Sequence, residues 1–306
     1  MAAALVGACA MTFAACGTPT APSEQPGASG SASGAASATP VDLLPKDDAI
    51  AALVPQKIRD KGTIVFATDA TAPPNQFIAE DGTTIIGNEV DFGNQLGSIL
   101  GLKVEWVNVS FDSIIPGLQA ARYDTALSGM RVTLERQKLV DFVSYAKTGP
   151  QLFAKKENAD KISTPEELCG HSIAVQSATI QADAIADYSK KCEAAGKPAI
   201  DIKTFKNQND QINAVASGQA EFGVQNAPNN VYLATQTEGA LVGFGKPFLE
   251  GPWGMPIPKE TGLTNALYEA TKKLVASPQY TEILKFWKNA DQAITVDEVK
   301  INGAVS

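Results

Sequence analysis

Residues 89–107, EVDFGNQLGSILGLKVEWV, change from one hydrophobic period to another within a single stretch. Phe92, Leu96, Ile99 and Leu100 fall at i, i+4, i+7 and i+8, positions that share one face of a helix, and Gly101 follows as a stop signal. The next run, KVEWV (103–107), alternates apolar and polar residues as a half-buried strand does. Upstream, TIVFA (63–67) is a short β-rich run. Strand, helix and strand therefore follow one another in a short unit.

The alternation continues. Asp112 reads as the N-cap of a helix through SIIPGLQAAR (113–122), and DTALSG (124–129) as the next strand. A second set begins near 172, with SIAV, a helix over 179–190, IDIKTF (200–205), the helix DQINAVASG (210–218), the strand AEFGVQ (220–225) and a helix over 228–236. Two helices close the chain, LTNALYEATKKLVAS (263–277) and PQYTEILKFWKNA (278–290). Such alternation implies parallel α/β sheets, and two sets linked through SYAKTGPQLFAKK (144–156) imply two lobes. Ligands of open α/β sheets bind beyond the carboxyl ends of the strands. The loops to inspect are TDATAPPN (68–75), SFDS (110–113), SGMRVTLER (128–136), QSATIQ (176–181) and QNAP (225–228).

Composition narrows the chemistry. Apolar residues at 44% and charged residues at 19% of 306 suit a soluble globular protein with a proper core. A net charge of -8 disfavours nucleic acid, whose affinity rests on Lys and Arg neutralising phosphates. The single histidine, His171, leaves little room for His-based acid–base catalysis or a multi-His metal site, so no cofactor or metal is expected.

The N-terminus reads as a targeting segment. AAALVGACAMTFAAC (2–16) is apolar but shorter than the roughly 18–20 residues that a membrane span needs. Small residues precede Cys16, and FAAC resembles a bacterial lipobox, so Cys16 is the expected lipidation site; a plain cleaved signal peptide is the alternative. Cys9 is the weaker candidate because apolar residues continue beyond it. Residues 17–54 read as a disordered tether, most strongly in GTPTAPSEQPGASGSASGAASATP (17–40), which cannot bury enough surface to repay chain ordering. The two remaining cysteines, Cys169 and Cys192, suggest one disulfide in an exported protein.

At four loops the chain resembles the family 3 extracellular solute-binding proteins, the amino-acid receptors of ABC importers. The resemblance is carried, in order, by TDATAPPNQF (68–77), SFDSIIPGLQAARYD (110–124), SGMRVTLERQKLVDF (128–142) and LCGHSIAVQSATIQ (168–181). It implies a two-lobe α/β fold of the type II periplasmic-binding-protein kind, with mixed sheets flanked by helices and a two-strand hinge. Lobe 1 would be about 55–147 plus 251–306, and lobe 2 about 148–250. The implied protein is a monomer exported to the outer face of the bacterial cell membrane and held there by its lipid. Its partners would be a small amino acid or derivative, an ABC permease and its ATPase.

The resemblance also assigns roles. Arg136 would hold the ligand's carboxylate, which suits a guanidinium fork that stays charged at any relevant pH. Backbone N–H groups around Ser128 and Met130 would assist, as would Thr179 at a helix N-terminus in the turn that also carries Gln176. Asp69 would meet a distal cationic or amide group. Asn226 stands where relatives place an Asp for the α-ammonium. Ala72, Asn75 and Phe111 replace a Tyr, a Phe and a Trp, leaving a roomier and more polar pocket. The ligand is then either a polar amino acid whose amine meets Asp69, Asn226 and a backbone carbonyl, or a derivative with no free α-ammonium.

Other positions carry narrower expectations. Arg131, where relatives have Thr or Ser, is read as a rim residue in preference to a second anion contact. Ala178 replaces a glycine; a positive φ there would cost on the order of 1–2 kcal/mol. His171 is expected to face solvent, and Trp106, Trp253 and Trp287 to pack in the core or hinge. Competing functions are an enzyme on the same fold, such as a dehydratase of a cyclohexadienyl acid, and a sensory module without a transporter. For the enzyme, Asp69 is the only clear cleft carboxylate and no partner group is recognisable.

Overall fold

Gly87 opens the helix that the periodicity predicts. Its φ of 139° suits glycine, and a Cβ there would lie 2.2 Å from the Asn75 carbonyl oxygen. In this computed structural model, which describes residues 40–304, the chain begins with α1 (Asp48–Ala51), α2 (Gln56–Lys61), β1 (Thr63–Thr68) and three short strands, β2 (Thr71–Ala72), β3 (Gln76–Ile78) and β4 (Ile85–Ile86). Then come α3 (Asn88–Leu100), closed by left-handed Gly101, and β5 (Lys103–Asn108). After α4 (Ile114–Gln119), β6 (Thr125–Ala126) and α5 (Leu134–Leu139), the long strand β7 (Val140–Thr148) leads into β8 (Pro150–Lys155). The second set follows as β9 (Ser172–Gln176), α6 (Ile180–Ala194), β10 (Asp201–Phe205), α7 (Gln208–Ser217), β11 (Phe222–Asn226), α8 (Ala227–Gln236) and β12 (Leu241–Phe244). The chain returns through β13 (Gly251–Pro258) to α9 (Leu263–Val275) and α10 (Pro278–Phe286).

The strands form two lobes and a link. One sheet has the order β5-β1-β6, all parallel. The other has the order β10-β9-β11-β8-β12; its first three strands run parallel, while β8 and β12 pair antiparallel. The second sheet is therefore mixed, and the purely parallel arrangement read from alternation alone fails at β8, which runs antiparallel to both its neighbours and follows β7 with no crossover helix between them. A third sheet joins the lobes: β13 pairs antiparallel with β7 from Gly251 opposite Thr148 to Pro258 opposite Val140. Each lobe buries its own apolar clusters, one around Phe66, Leu96, Tyr145 and Leu267, another around Phe153, Ala174 and Val215.

Three local expectations are corrected. Asp112 does not cap a helix; it sits inside a 3-10 turn, Phe111–Ser113, and accepts from the Ser110 hydroxyl at 2.5 Å. The strand expected at 124–129 shrinks to two residues, after which Ser128 and Gly129 leave the sheet to line the cleft. Residues 42–54, counted with the tether, lie on lobe 1: Leu44 N–H donates to Gln95 Oε1, Gln95 Nε2 donates to the Asp42 carbonyl, and Val54 is fully buried. These contacts, together with α9 and α10, cover α3 nearly all round, so its polar face is buried as well. The signal segment, Cys9, Cys16 and tether residues 17–39 lie outside the described residues.

Cys169 and Cys192 form a disulfide, with Cα atoms 5.6 Å apart, tying the turn before β9 to the last turns of α6. His171 is half-buried rather than solvent-facing: Nδ1 lies 3.1 Å from Glu221 Oε2, and the ring meets Phe222 edge to face. Trp106 stacks on Phe66, Trp287 donates to Asp91, and Trp253 is buried on β13.

Candidate functional site

Two adjoining cavities open between the lobes, beyond the carboxyl ends of β1, β9 and β11. The larger is lined by Asp69, Asn75, Phe111, Ser128, Gln176, Thr179 and Asn226 among others, and the smaller by Arg131, Arg136 and Trp253. Phe111, Gly129, Thr179, Gln181 and Asn226 line both, forming a neck between them.

Arg136 projects from the first turns of α5, which Thr133 caps through the Arg136 N–H. Its Nη1 donates to the Arg131 carbonyl at 2.8 Å, and its Nη2 crosses the cleft to the Ala178 carbonyl at 2.9 Å. The guanidinium lies 5.6 Å from the centre of the Phe111 ring. Burial pulls its pKa down to about 10, with Asp183 opposing, so it remains a cation at neutral pH. Of its five N–H donors, these two bonds leave three for another acceptor. Thr179 stands beside it as N-cap of α6, and that 15-residue helix points its positive end at the smaller cavity.

Arg131 lines the smaller cavity and also ties down the link: Nη1 donates to the Thr148 carbonyl at 3.3 Å and Nη2 to the Glu250 carbonyl at 2.7 Å. It thus fastens the two linking strands together at their lobe 2 end. Gly251 leaves the space it occupies, since a Cβ there would lie 2.0 Å from Nη2.

Asp69 follows β1 and is almost fully buried. Its carboxylate accepts from Thr71 Oγ1 at 2.8 Å and, across the cleft, from Gln176 Nε2 at 2.7 Å. Burial raises its pKa, and these two bonds partly oppose the rise. Ser128 Oγ accepts from the Asp69 N–H and pairs with Gln76 Nε2. Asn226 ends β11 and accepts from Gln181 Nε2 at 2.9 Å. Further bonds cross the cleft, from Gln208 N–H to Thr71 Oγ1 and from Asn229 Nδ2 to the Pro73 carbonyl.

Met130, named for its backbone N–H, buries its side chain in a lobe 1 cluster, between Gly129 and Arg131, which line the cavities. Asn75 lines the larger cavity, but its Oδ1 accepts from Asn289 and Gln292, and its Nδ2 donates to Asn229. Sequence reading missed Gln76, Gln181, Gln208, Gln211 and Gln225, all cavity-lining and nearly buried. Gln208 and Gln211 carried a signal, being polar residues three apart at the start of α7, just beyond the carboxyl end of β10.

The chain matches the sequence model of the bacterial extracellular solute-binding proteins, family 3, over residues 64–290. It is 29% identical to the arginine-binding protein of Corynebacterium glutamicum over 254 residues, 83% of this chain and 82% of that one. It is 27% identical to the ABC transporter glutamine-binding protein of Bacillus subtilis, over 81% of this chain and 87% of that one. Among solved structures it resembles an ancestral amino acid-binding protein, a precursor of cyclohexadienyl dehydratase, at 31% identity and a TM-score of 0.68, over 76% of this chain and 97% of that one. An ancestral arginine-binding protein bound to arginine superposes with a TM-score of 0.68 at 29% identity, over 74% of this chain and 98% of that one. With two lobes, a two-strand link and a polar cleft between them, the chain belongs to the bacterial extracellular solute-binding proteins, family 3.

Proposed function

We propose that the protein is the receptor of an ABC importer for a polar amino acid or a carboxylate-bearing derivative of one. The observation that carries this reading is the Arg136 guanidinium, held between the lobes with unclaimed N–H donors beside the N-terminus of α6. A carboxylate in the smaller cavity would meet both. The ligand's amine would lie at the neck facing Asn226, with Asp69 supplying the negative charge, and its side chain would enter the larger cavity. The amino-acid relatives support this class of ligand.

The same reading assigns lobe 1 to about 55–147 plus 251–306, with residues 42–54 packed on it, and lobe 2 to about 148–250. It is supported by the sheets, since the strands of each fall within one range. Lobe closure around the solute would then present occupancy to a permease with its ATPase, which is differential binding to two conformations. The protein would act as a monomer, anchored through a lipid on Cys16 at the outer face of the membrane. We read it as non-catalytic because, among the described residues, Asp69 is the one carboxylate lining the larger cavity and no base pairs with it.

Titration calorimetry on Arg136→Ala, with the solute identified by mass spectrometry of purified protein, tests the proposal. Two charge-assisted bonds at roughly 1.5–3 kcal/mol each correspond to at least a 100-fold loss of affinity. Near-normal affinity would remove the carboxylate clamp. Release of a Cys16→Ala variant into the medium tests the anchor.

A further inference from the structure

The loop between β2 and β3 and the first turn of α8 meet across the cleft, one from each lobe, through Asn75 and Asn229. Both side chains are buried. Asn229 Nδ2 donates to the Pro73 carbonyl at 2.7 Å, and Asn75 Nδ2 donates to Asn229 Oδ1 at 3.3 Å. Asn75 Oδ1 accepts from Asn289 Nδ2 at 3.1 Å and from Gln292 Nε2 at 3.3 Å, both in lobe 1 beyond α10.

One backbone atom dictates the direction of these amides. The Pro73 carbonyl can only accept, so Asn229 turns its nitrogen there and its oxygen to Asn75. Asn75 must answer with its nitrogen, which leaves its oxygen for Asn289 and Gln292. The two bonds between the lobes are therefore reciprocal. Neither amide can turn over without setting donor against donor or acceptor against acceptor.

Helix spacing carries the contact further. Asn226, the N-cap of α8, is followed by Asn229 and Tyr232 at intervals of three, along one face. Asn226 lines both cavities, whereas Asn229 and Tyr232 line neither. Tyr232 instead meets Phe77 of lobe 1, with ring centres 5.8 Å apart, and Phe77 meets Trp287 edge to face. The bond from Gln176 to Asp69, by contrast, joins two groups that line the larger cavity, where a solute can alter it.

Resting on the receptor reading above, we propose that the Asn75–Asn229 and Phe77–Tyr232 contacts form a clasp that sets how long the closed lobes hold a solute, by the same factor whatever its side chain. Asn229 and Tyr232 are positioning residues: they touch no solute and act by seating Asn226 at the neck. Parting the lobes would break the reciprocal bonds and the ring contact together, a cost that falls on release and not on capture. Asn75, standing where the resemblance implies a Phe, serves closure.

Stopped-flow fluorescence and calorimetry on the full chain test the proposal. The probes are the twenty common amino acids and their N-acetyl forms, with the two tightest binders carried forward. Asn229→Leu should release both solutes at least fivefold faster, by factors that agree within twofold, with association rates within twofold of wild type. Tyr232→Leu should show the same pattern at about threefold, and it alone decides if Asn229→Leu does not fold by circular dichroism. Urea midpoints of the unliganded variants should match wild type. A merely structural role would lower those midpoints and slow association. That result, smaller changes in release, or factors that disagree between the two solutes overturn the clasp and leave the receptor reading intact. Folded wild-type protein that binds no probe overturns the receptor reading, and the clasp with it.

Discussion

Arg136 and Ala178 face each other across the cleft and share a hydrogen bond of 2.9 Å, from guanidinium to backbone carbonyl. Ala178 holds a left-handed φ of 58°, the conformation expected if its turn demanded a glycine. The carbonyl that Arg136 reaches thus belongs to a residue in an unfavourable backbone region.

Ala178→Gly should therefore stabilise the protein. Relief of the left-handed strain is on the order of 1–2 kcal/mol, and the added freedom of the unfolded chain returns about 0.4–1 kcal/mol of that. A net gain of about 0.5–1 kcal/mol should appear as a higher urea midpoint with an unchanged slope. The carbonyl stays in place, so ligand affinity should change by less than about twofold.

Asn226→Asp should tighten binding about tenfold if the solute carries a free α-ammonium. The new carboxylate keeps the acceptor that Gln181 uses and adds a full charge at the neck. Calorimetry on wild type and variant decides it, and weaker binding would point to a blocked amine.

Glu89 makes the fold pH-sensitive. It lies buried beneath the cleft loop, accepting from the Gly129 N–H and, at 2.5 Å, from the Tyr145 hydroxyl on β7. Burial pushes its carboxyl up from 4.5 to about 7, against the lowering effect of those two bonds. The folded state then binds more protons than the unfolded state between those values. Stability from this group is greatest below about pH 4.5, is lost as pH rises towards 7, and is level above. The loss is on the order of a few kcal/mol. In Glu89→Gln, urea titrations at pH 5 and pH 7.5 should differ less than in wild type.

Replacing Cys169 and Cys192 together with serine should cost roughly 3 kcal/mol on the chain-entropy view of a loop with a separation of 23 residues. Differential scanning calorimetry should show Tm lower by about 5–10 °C. Affinity should hold, because the bond anchors the far end of α6, whereas the cavity meets its N-terminus.

The sequence made the scaffold plain where periodicity and punctuation agreed. Phe92 to Leu100 followed by Gly101 marked α3 nearly to the residue. It was less plain where a segment's contacts lie far away in sequence. Residues 42–54 were counted with the tether that precedes them, yet Leu44, Ile50 and Val54 pack on the lobe 1 core, and Gln95 and Ser98 bind their backbone to α3. At the site, Asp69, Arg136 and Thr179, which the family resemblance picked out, line the two cavities. Gln208 and Gln211 were not picked out, since a glutamine at the start of a helix looks like any solvated residue until its neighbours' carbonyls are in view. The part Arg131 plays in the link was hidden for the same reason: its partners there, the carbonyls of Thr148 and Glu250, are distant in sequence and carry no side-chain label.

Arg131 takes one carbonyl from the end of β7 and another from just before β13. Two strands riveted in this way twist more readily than they part. Under the receptor reading, the lobes would then pivot about this tied pair on unloading, and each cycle of capture would start from the same alignment.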